Sequence, residues 1–192
     1  MPRCADIILS LLAVVLLTPL LATIALAVLL AMGHPVLFRQ ERVGQGGRPF
    51  TIVKFRSLDE TGAPTRLGTL LRRFSLDELP EFWNVLAGDM ALVGPRPLVA
   101  GDQPGHPRLR AARQSMLPGI TGWAQVRGRN ALSFERTYLL DLWYRRRRSL
   151  VLDLYILLLT LPVVAIGKGA CALAEAARDH IAPHRRATEE PA

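Results

Sequence analysis

Residues 72–78 combine basic and acidic side chains in an arrangement suited to phosphate chemistry. A carboxylate beside cations such as Arg72 stays ionised at neutral pH, so Asp77 is a candidate nucleophile or magnesium ligand. Ser75 and Glu78 also have the spacing of a capping box, which predicts a helix start with Asp77 in its first turn. The two interpretations are compatible, because a helix N-terminus offers free N–H groups to a phosphate.

Two other basic residues are candidates for holding a phosphate. Arg96 lies between Pro95 and Pro97, and two prolines stiffen the loop, so its guanidinium loses little entropy on binding an anion. An ordinary exposed loop arginine is the alternative. Lys54 is one of only two lysines among the 24 basic residues. It is therefore a candidate for a role that needs a point charge, and chance retention of a lysine is the alternative.

A third candidate region is the glycine-rich segment 118–130. Gly119 and Gly122 would allow the backbone to approach a ligand closely. Trp123 is suited to stacking on a flat ring, and Arg129 to meeting a phosphate. A turn that simply packs one tryptophan is the alternative, and the residues alone favour it.

The elements that must position these residues are short. Residues 36–40 and 50–55 read as two strands of a hairpin around a glycine-rich turn at 44–47. Ser133 is a plausible N-cap for a helix that ends at Tyr144, and Gly88 is a plausible helix end. Further helices are predicted at 66–74, 75–87 and 108–116, with a loop at 94–107 and turns at 118–129.

The N-terminal region 7–32 is almost wholly apolar and long enough to cross a bilayer. Thr18 and Pro19 interrupt its middle, and the proline should kink the helix there. A cleaved signal peptide fits less well, because apolar residues continue past the small-residue site. A kinked spanning helix and a re-entrant helix both fit, and the residues alone favour the spanning one.

A second apolar segment, 150–166, follows four arginines at 145–148. It is short for a membrane span and contains Asp153 and Pro162. We interpret it as a helix lying at the membrane interface with the arginines at the headgroups; a second span is the alternative.

Composition favours a membrane surface as the partner. The chain is 50% hydrophobic with mean hydropathy +0.23, yet its net charge is +8 and its pI about 10.7. A basic balance also suits nucleic acid, but a nucleic-acid binder has no need of a long apolar N-terminus. Two distant cysteines make neither a disulfide framework nor a zinc pattern. The Asp-x-Asp, G-x-G-x-x-G, H-E-x-x-H and G-x-S-x-G motifs are absent from the sequence.

Taken together, these motifs resemble the catalytic domain of small monotopic phosphoglycosyl transferases, in the bacterial sugar transferase family. The resemblance covers the chain to about residue 166 and rests on KFR at 54–56, SLDELP at 75–80, DM at 89–90, GPRP at 94–97, PGITGW at 118–123 and GRN at 128–130. It implies an α+β, mainly helical fold with a small β-hairpin and amphipathic interfacial helices. The implied segments are a re-entrant membrane helix at 1–33 broken at Thr18-Pro19, a catalytic domain at 34–168, and a C-terminal helix with a disordered tail at 169–192.

The resemblance also implies a reaction. Asp77 would attack the β-phosphate of a UDP-sugar, release UMP and form a covalent intermediate that undecaprenyl phosphate then resolves. Glu78 would complete the catalytic dyad, and Mg²⁺ at Asp77 would neutralise the diphosphate. Basic residues would hold substrate, namely Lys54, Arg72, Arg96 and Arg129. This would be the first membrane step of glycoconjugate synthesis, at the cytoplasmic face of the bacterial inner membrane, with membrane lipid and a homodimer as further partners and without nucleic acid.

Three departures from the family pattern concern the surroundings of the site. The stretch between Ser57 and Arg66 is shorter than usual, Arg127 stands where asparagine is common, and the arginines at 145–148 replace a mixed sequence. A shortened loop would alter a lid over the sugar, so the sequence does not identify the sugar. The alternative function is a non-catalytic polybasic protein of the membrane surface, which would be indifferent to Asp77.

Overall fold

A computed structural model describes residues 1–102, 106–128 and 131–166. This part of the chain is mainly helical, with two small two-stranded sheets, which confirms the α+β expectation. Short 3₁₀ turns cover Gln45–Gly47, Leu76–Glu78 and Ala100–Asp102. The helices are α1 (Arg3–Met32), α2 (Arg66–Arg73), α3 (Glu81–Ala87), α4 (Pro107–Gln114), α5 (Trp123–Arg127), α6 (Phe134–Arg147) and α7 (Leu150–Ile166); the strands are β1 (Leu37–Val43), β2 (Pro49–Phe55), β3 (Ala91–Val93) and β4 (Gly119–Thr121).

The predicted hairpin is confirmed and is longer than the sequence indicated. β1 and β2 pair antiparallel, with Phe38 opposite Lys54 and Arg42 opposite Phe50. The turn between them contains Gly46 at φ 67°, in the left-handed region where glycine carries no Cβ penalty. The register places Lys54 near the C-terminal end of β2 and opposite the start of β1, which follows the C-terminal end of α1.

The second sheet was not predicted. β3 and β4 pair in parallel, with Ala91 opposite Gly119 and Val93 opposite Thr121. Strands of three residues are too short to show a hydrophobic period, so the segment holding β4 and α5 read only as turns. The N–H of Gly94 donates to the carbonyl of Thr121 at 2.9 Å and continues the pairing.

Two clusters of buried side chains form the core. The larger joins α3, β3, α5, α6 and α7 and includes Val85, Met90, Tyr144 and Ile156. The smaller joins the C-terminal half of α1 to β2 and α2, through Ile24, Val28, Phe55 and Leu71. Strand β2 contributes to both clusters, through Ile52 and Phe55, and it also carries the predicted site residue Lys54.

Helix α1 contacts the rest of the protein at both ends. Near its N-terminus, Arg3 donates to the carbonyls of Met90, at 2.8 Å, and Val85, and the buried carboxylate of Asp6 accepts the Leu92 N–H at 3.1 Å. Its C-terminal half packs in the smaller core cluster. Both ends of this helix are therefore attached to the same folded body.

The middle of α1 presents apolar side chains to the surroundings. In the described part of the chain it is the helix long and apolar enough to cross a membrane. The helix continues through Pro19, with Thr18 donating to the carbonyl of Val14 and Thr23 to that of Pro19, both at 2.8 Å. One hydroxyl thus bonds to a carbonyl in the turn before the proline, and the other bonds to the carbonyl of the proline itself.

Helix α7 confirms the predicted helix, and its one acidic residue, Asp153, faces the protein interior. Asp153 is fully buried and accepts a hydrogen bond from the Tyr144 hydroxyl at 2.5 Å and from the amino group of Met1. Burial, with Asp153 as a second cause, raises the pKa of Tyr144 well above its ordinary value. The outer surface of α7 is apolar, with Leu158 65% and Leu161 67% exposed. The preceding α6 begins at the predicted Ser133 cap, which accepts the Arg136 N–H, and ends at Arg147.

Candidate active site

The turn that carries Asp77 and Glu78 is not the helix start that the sequence predicted. Ser75 has φ 58°, and among the described residues its side chain makes no N-cap hydrogen bond. The chain instead forms a 3₁₀ turn at Leu76–Glu78, and α3 begins only at Glu81. Pro80 explains the break, because inside a helix starting at Ser75 it would lack the N–H that such a helix needs.

A cavity of about 550 Å³ opens beside this turn. It brings together the predicted catalytic and substrate-binding residues that lie in the described part of the chain: Lys54, Arg72, Asp77, Glu78 and Arg96. They come from β2, α2, the 3₁₀ turn and the loop after β3. The remaining prediction, Arg129, lies outside the described residues.

Inside the cavity, two cations share one carboxylate. The Lys54 ammonium lies 3.1 Å from Glu78 Oε1, and a guanidinium N–H of Arg96 donates to the same oxygen at 2.8 Å. The side chain of Glu78 is 6% exposed. The charge of Glu78 is the main cause that raises the pKa of Arg96. Glu78 therefore holds both cations at the cavity wall beside Asp77.

Glu81 is a member of this cluster that the sequence analysis missed. Its Oε1 lies 2.8 Å from the Lys54 ammonium, and its side chain is 3% exposed. Burial raises its pKa to about 7; Lys54 opposes that rise and Glu78 adds to it. Its position three residues after Glu78, on the far side of Pro80, was the available signal.

The contact between Lys54 and Glu81 depends on how α3 is attached to β2. Asn84 on α3 accepts the Val53 N–H at 3.1 Å and donates to the Thr51 carbonyl at 2.7 Å. These two bonds satisfy the backbone groups on either side of Ile52 in β2. They fix the first turn of α3 under the end of the strand that carries Lys54.

The backbone of Arg96 is held from behind by Arg113 on α4. Arg113 donates to the Arg96 carbonyl and, at 2.8 Å, to the Asp141 carboxylate on α6. Both partners of this ion pair are buried, at 6% and 2% exposed. Burial raises the pKa of Asp141, and Arg113 opposes that rise. The sequence predicted a stiff loop from its two prolines, and this hydrogen bond from a distant helix restrains the loop further.

Arg42 adds a further cation that sequence reasoning did not single out. It lines the cavity from β1 and donates to Gln40 Oε1 at 2.5 Å and to the Pro97 carbonyl at 3.4 Å. Burial, followed by repulsion from Arg96, lowers its pKa. Only its pairing with β2 brings it here, so no local sequence signal identified it.

Arg56, the last residue of the KFR motif, joins the cavity to the end of α1. Its guanidinium donates to the carbonyls of Met32, of Gly33 at 2.8 Å and of His34 at 3.0 Å. A cation at a helix C-terminus is favourable, because the last carbonyls lack helical partners. The site and the C-terminal end of α1 are therefore directly connected.

The loop after Ser57 forms one wall of the cavity. Asp59, Glu60 and Gly62 line it. The Asp59 carboxylate accepts three bonds from within the loop, from the N–H and hydroxyl of Thr61 and the N–H of Ala63, at 2.9, 2.6 and 3.0 Å. The hydroxyl bond is the main cause that lowers the pKa of Asp59. The loop is thus internally braced beside the site.

The glycine- and tryptophan-containing segment follows the packing interpretation. Trp123 is buried and stacks on Trp143 with ring centroids 5.0 Å apart, and the Arg127 guanidinium lies 4.2 Å from its ring centroid. A Cβ on Gly119 would collide with the backbone of Gly94. Gly119 therefore packs directly against Gly94, at the start of the loop that carries Arg96.

A family model described as bacterial sugar transferase matches residues 1–167. The chain belongs to the bacterial sugar transferase family. The match includes the turn at Leu76–Glu78, both small sheets and α1, so the membership of this family that the sequence motifs predicted is confirmed.

Several relatives of this sugar transferase have curated names. The uncharacterized sugar transferase EpsL of Bacillus subtilis is 46% identical over 161 residues, which cover 78% of this chain and 79% of EpsL. The UDP-glucose:undecaprenyl-phosphate glucose-1-phosphate transferase of Escherichia coli is 38% identical over 189 residues, 88% of this chain and 41% of the relative. An Aeromonas hydrophila UDP-N-acetylgalactosamine-undecaprenyl-phosphate N-acetylgalactosaminephosphotransferase is 37% identical over 187 residues, 88% and 44%. The chain thus spans less than half the length of the latter two.

Proposed function

We propose that this sugar transferase moves a sugar 1-phosphate from a UDP-sugar to undecaprenyl phosphate and releases UMP. The observation that carries the proposal is the cavity in which Asp77 and Glu78 lie beside Lys54, Arg72 and Arg96. Both substrates are phosphates, and this wall offers cations to their oxygens. The names of the E. coli and A. hydrophila relatives describe the same reaction type with different sugars.

In the first step, an Asp77 carboxylate oxygen attacks the β-phosphorus of the donor. The bond between that phosphorus and the bridging oxygen of UMP breaks, and UMP leaves with the electron pair. The sugar phosphate is then held on Asp77 as an acyl phosphate. Arg72 and Arg96 are placed to offset the charge that develops on the phosphoryl oxygens.

In the second step, a phosphate oxygen of undecaprenyl phosphate attacks the same phosphorus. The bond to the Asp77 oxygen breaks, which regenerates the carboxylate and yields the diphosphate-linked sugar. Splitting one transfer into two lets a water-soluble donor and a membrane lipid use the same carboxylate in turn.

Glu78 acts in this scheme by holding its neighbours. Its Oε1 keeps the Lys54 ammonium and an Arg96 N–H within 3.1 and 2.8 Å, so both cations are ordered before a phosphate arrives. Such preorganisation is where electrostatic catalysis obtains most of its effect. A substrate phosphate that enters the cavity would meet these cations already in place.

The donor set also fits Mg²⁺ in the way that phosphoryl transfer uses it. Within the described ranges, no group of three or more acidic, histidine or cysteine side chains lies together as a closed metal cage. Mg²⁺ is commonly bound by one or two carboxylates, waters and substrate phosphates, and Asp77 at the cavity wall supplies such a carboxylate. When bound, the ion would neutralise the diphosphate.

We also infer that α1 is re-entrant and that the catalytic body lies at the cytoplasmic membrane face. The attachment of both α1 ends to one body supports this, because a straight span would separate its ends by the thickness of the bilayer. The apolar outer surface of α7 would then rest at the same interface.

The test measures UMP release from a panel of UDP-sugars, with undecaprenyl phosphate and Mg²⁺, in one detergent. We expect wild type to release UMP from at least one donor and Asp77→Asn to lose that activity by about three orders of magnitude or more. Glu135→Gln, at an exposed residue of α6 outside the cavity lining, is the matched control and should keep wild-type activity.

Two outcomes would contradict the proposal. Equal UMP release by wild type and Asp77→Asn would show that Asp77 is not the nucleophile. Folded wild type that releases UMP from none of the donors would favour a non-catalytic protein of the membrane surface.

A further inference from the structure

A second, smaller cavity lies on the opposite side of the catalytic turn. Its volume is about 160 Å³. Its wall is mostly apolar and includes Phe74, Leu79, Phe82, Ile120, Val163 and Val164. Glu78 lines both this cavity and the larger one that holds Asp77 and the cations. The two spaces therefore meet at the catalytic turn, one lined by charges and the other by hydrocarbon.

Within the described structure, one polar side chain in the apolar wall lacks a partner. Gln125 on α5 lines the cavity, and both its amide nitrogen and its amide oxygen are buried without a hydrogen-bond partner among the described residues. The two threonine hydroxyls of the same wall, of Thr121 and Thr160, bond to each other at 2.7 Å. A buried amide left unpaired is costly, so a ligand atom that pairs with Gln125 would relieve that cost.

The size of the cavity limits what enters it. An apolar cavity of about 150 Å³ in another protein binds benzene, a six-carbon ring. This cavity, at about 160 Å³, therefore suits a hydrocarbon fragment of about five carbons, such as one isoprene unit. Beyond it, α7 offers a continuous apolar outer surface through Leu158 and Leu161, along which a longer chain can extend into lipid.

We propose that this cavity binds the isoprene unit next to the phosphate of the lipid acceptor, with the Gln125 amide N–H donating to an oxygen of that phosphate ester. The inference rests on the proposed function and deepens it by assigning the acceptor a place separate from the donor. The shared residue Glu78 then marks the boundary at which the acceptor phosphate meets the phosphoryl group on Asp77.

The first test fills the cavity. Val164→Trp places a large ring in its wall, whereas Leu109→Trp adds the same ring at an exposed position of α4 that lines neither cavity. We expect Val164→Trp to raise the KM for undecaprenyl phosphate by about tenfold or more, as loss of a hydrophobic subsite does. The burst of UMP released from the UDP-sugar without acceptor should remain, and Leu109→Trp should match wild type in both measurements.

The second test uses Gln125→Leu, which adds no bulk. A role confined to packing predicts equal or higher thermal stability and an unchanged KM for the acceptor. The proposal predicts equal or higher stability together with an acceptor KM raised by about tenfold, because one hydrogen bond to a charged group is lost. This variant decides the case if the tryptophan substitution prevents folding.

The outcomes separate this inference from the function on which it rests. No UMP burst from wild type with any donor would overturn the proposed function. A normal burst in wild type, with the acceptor KM unchanged in Gln125→Leu and in folded Val164→Trp, would overturn the acceptor subsite alone. A raised acceptor KM in both variants, with the burst retained, would support it.

Discussion

At the residue scale, one ammonium group is shared by two buried carboxylates. Lys54 lies 3.1 Å from Glu78 and 2.8 Å from Glu81, while Arg96 approaches only Glu78 among these. The charge on Glu81 therefore decides how strongly Lys54 is drawn away from Glu78. Since the pKa of Glu81 is raised to about 7, this balance changes within the physiological range.

Glu81 should make the stability of the protein depend on pH. Its folded-state pKa of about 7 exceeds the ordinary 4.5, so the folded protein favours the protonated form. The resulting stabilisation is complete below pH 4.5 and is lost as pH rises through about 7, a loss of up to about 3 kcal/mol. Glu81→Gln, which cannot ionise, should lack this loss and gain stability relative to wild type at pH 8.

The measurement is the thermal midpoint in detergent between pH 5 and pH 8. The charged groups that face Glu81 are Lys54, Glu78, Arg96 and Arg42. Arg42→Gln serves as a second variant, because it changes the electrostatic field at Glu81 and leaves the Glu81 carboxyl in place. Parallel pH curves for wild type and Glu81→Gln would show that Glu81 does not titrate in this range.

At the element scale, the loop that carries Arg96 depends on close contact between β3 and β4. A Cβ on Gly119 would collide with the Gly94 backbone, and backbone cannot move aside as a flexible side chain can. Gly119→Ala should therefore destabilise the protein by about 1–3 kcal/mol or more, measured as a lower thermal midpoint.

Gly101→Ala is the matched control for this substitution. It lies in the same loop region, is exposed, and has open space where the methyl group would go. Its thermal midpoint should stay near that of wild type. Equal effects of the two substitutions would mean that close β3–β4 contact is not what excludes a side chain at position 119.

The buried pair of Arg113 and Asp141 is the second support of this loop. Asp141→Asn leaves the Arg113 charge without its partner, which should cost about 3–5 kcal/mol of folding free energy. The double variant Arg113→Met with Asp141→Leu should recover most of the stability, because it removes both buried charges.

Stability and activity should separate in that double variant. Once Arg113 is replaced, the hydrogen bond to the Arg96 carbonyl is lost, so UMP release should stay reduced while the thermal midpoint recovers. Recovery of full activity together with stability would show that Arg113 only packs and does not position Arg96.

At the scale of the whole molecule, α1 returns to the body from which it starts. Arg3 and Asp6 fasten one end to the α3–β3 region, and Arg56 fastens the other at Met32. The exposed thiol of Cys4 is therefore expected on the same side of the membrane as the catalytic cavity.

Thiol labelling in inverted and right-side-out vesicles tests this arrangement. In a Cys171→Ser background, Cys4 should react with an impermeant reagent only from the cytoplasmic face. The reference is Glu60→Cys, at the cavity wall, in a background with both native cysteines replaced by serine. Labelling of the two thiols from opposite faces would show that α1 spans the bilayer.

The amino-acid sequence determined the parts of the site that depend on local order. The proline-flanked Arg96, the adjacent carboxylates of Asp77 and Glu78, the hairpin with Lys54 and the start of α7 follow from neighbouring residues and periodicity. These features were predicted because propensity, turn chemistry and motif spacing act over a few residues. The resemblance to the family then implied the reaction. The spacing of residues 75–78 alone is compatible with both a helix cap and a catalytic role.

Tertiary structure decided what depends on residues distant in the chain. In place of the expected capping box there is a 3₁₀ turn, in which Glu78 bonds to Lys54 and Arg96 from other elements. Tertiary contacts also added Glu81 to the site and gave the glycines at 94 and 119 their role in backbone packing. Burial, charge pairing and close backbone contact are set by elements far apart in sequence, so no local pattern encodes them.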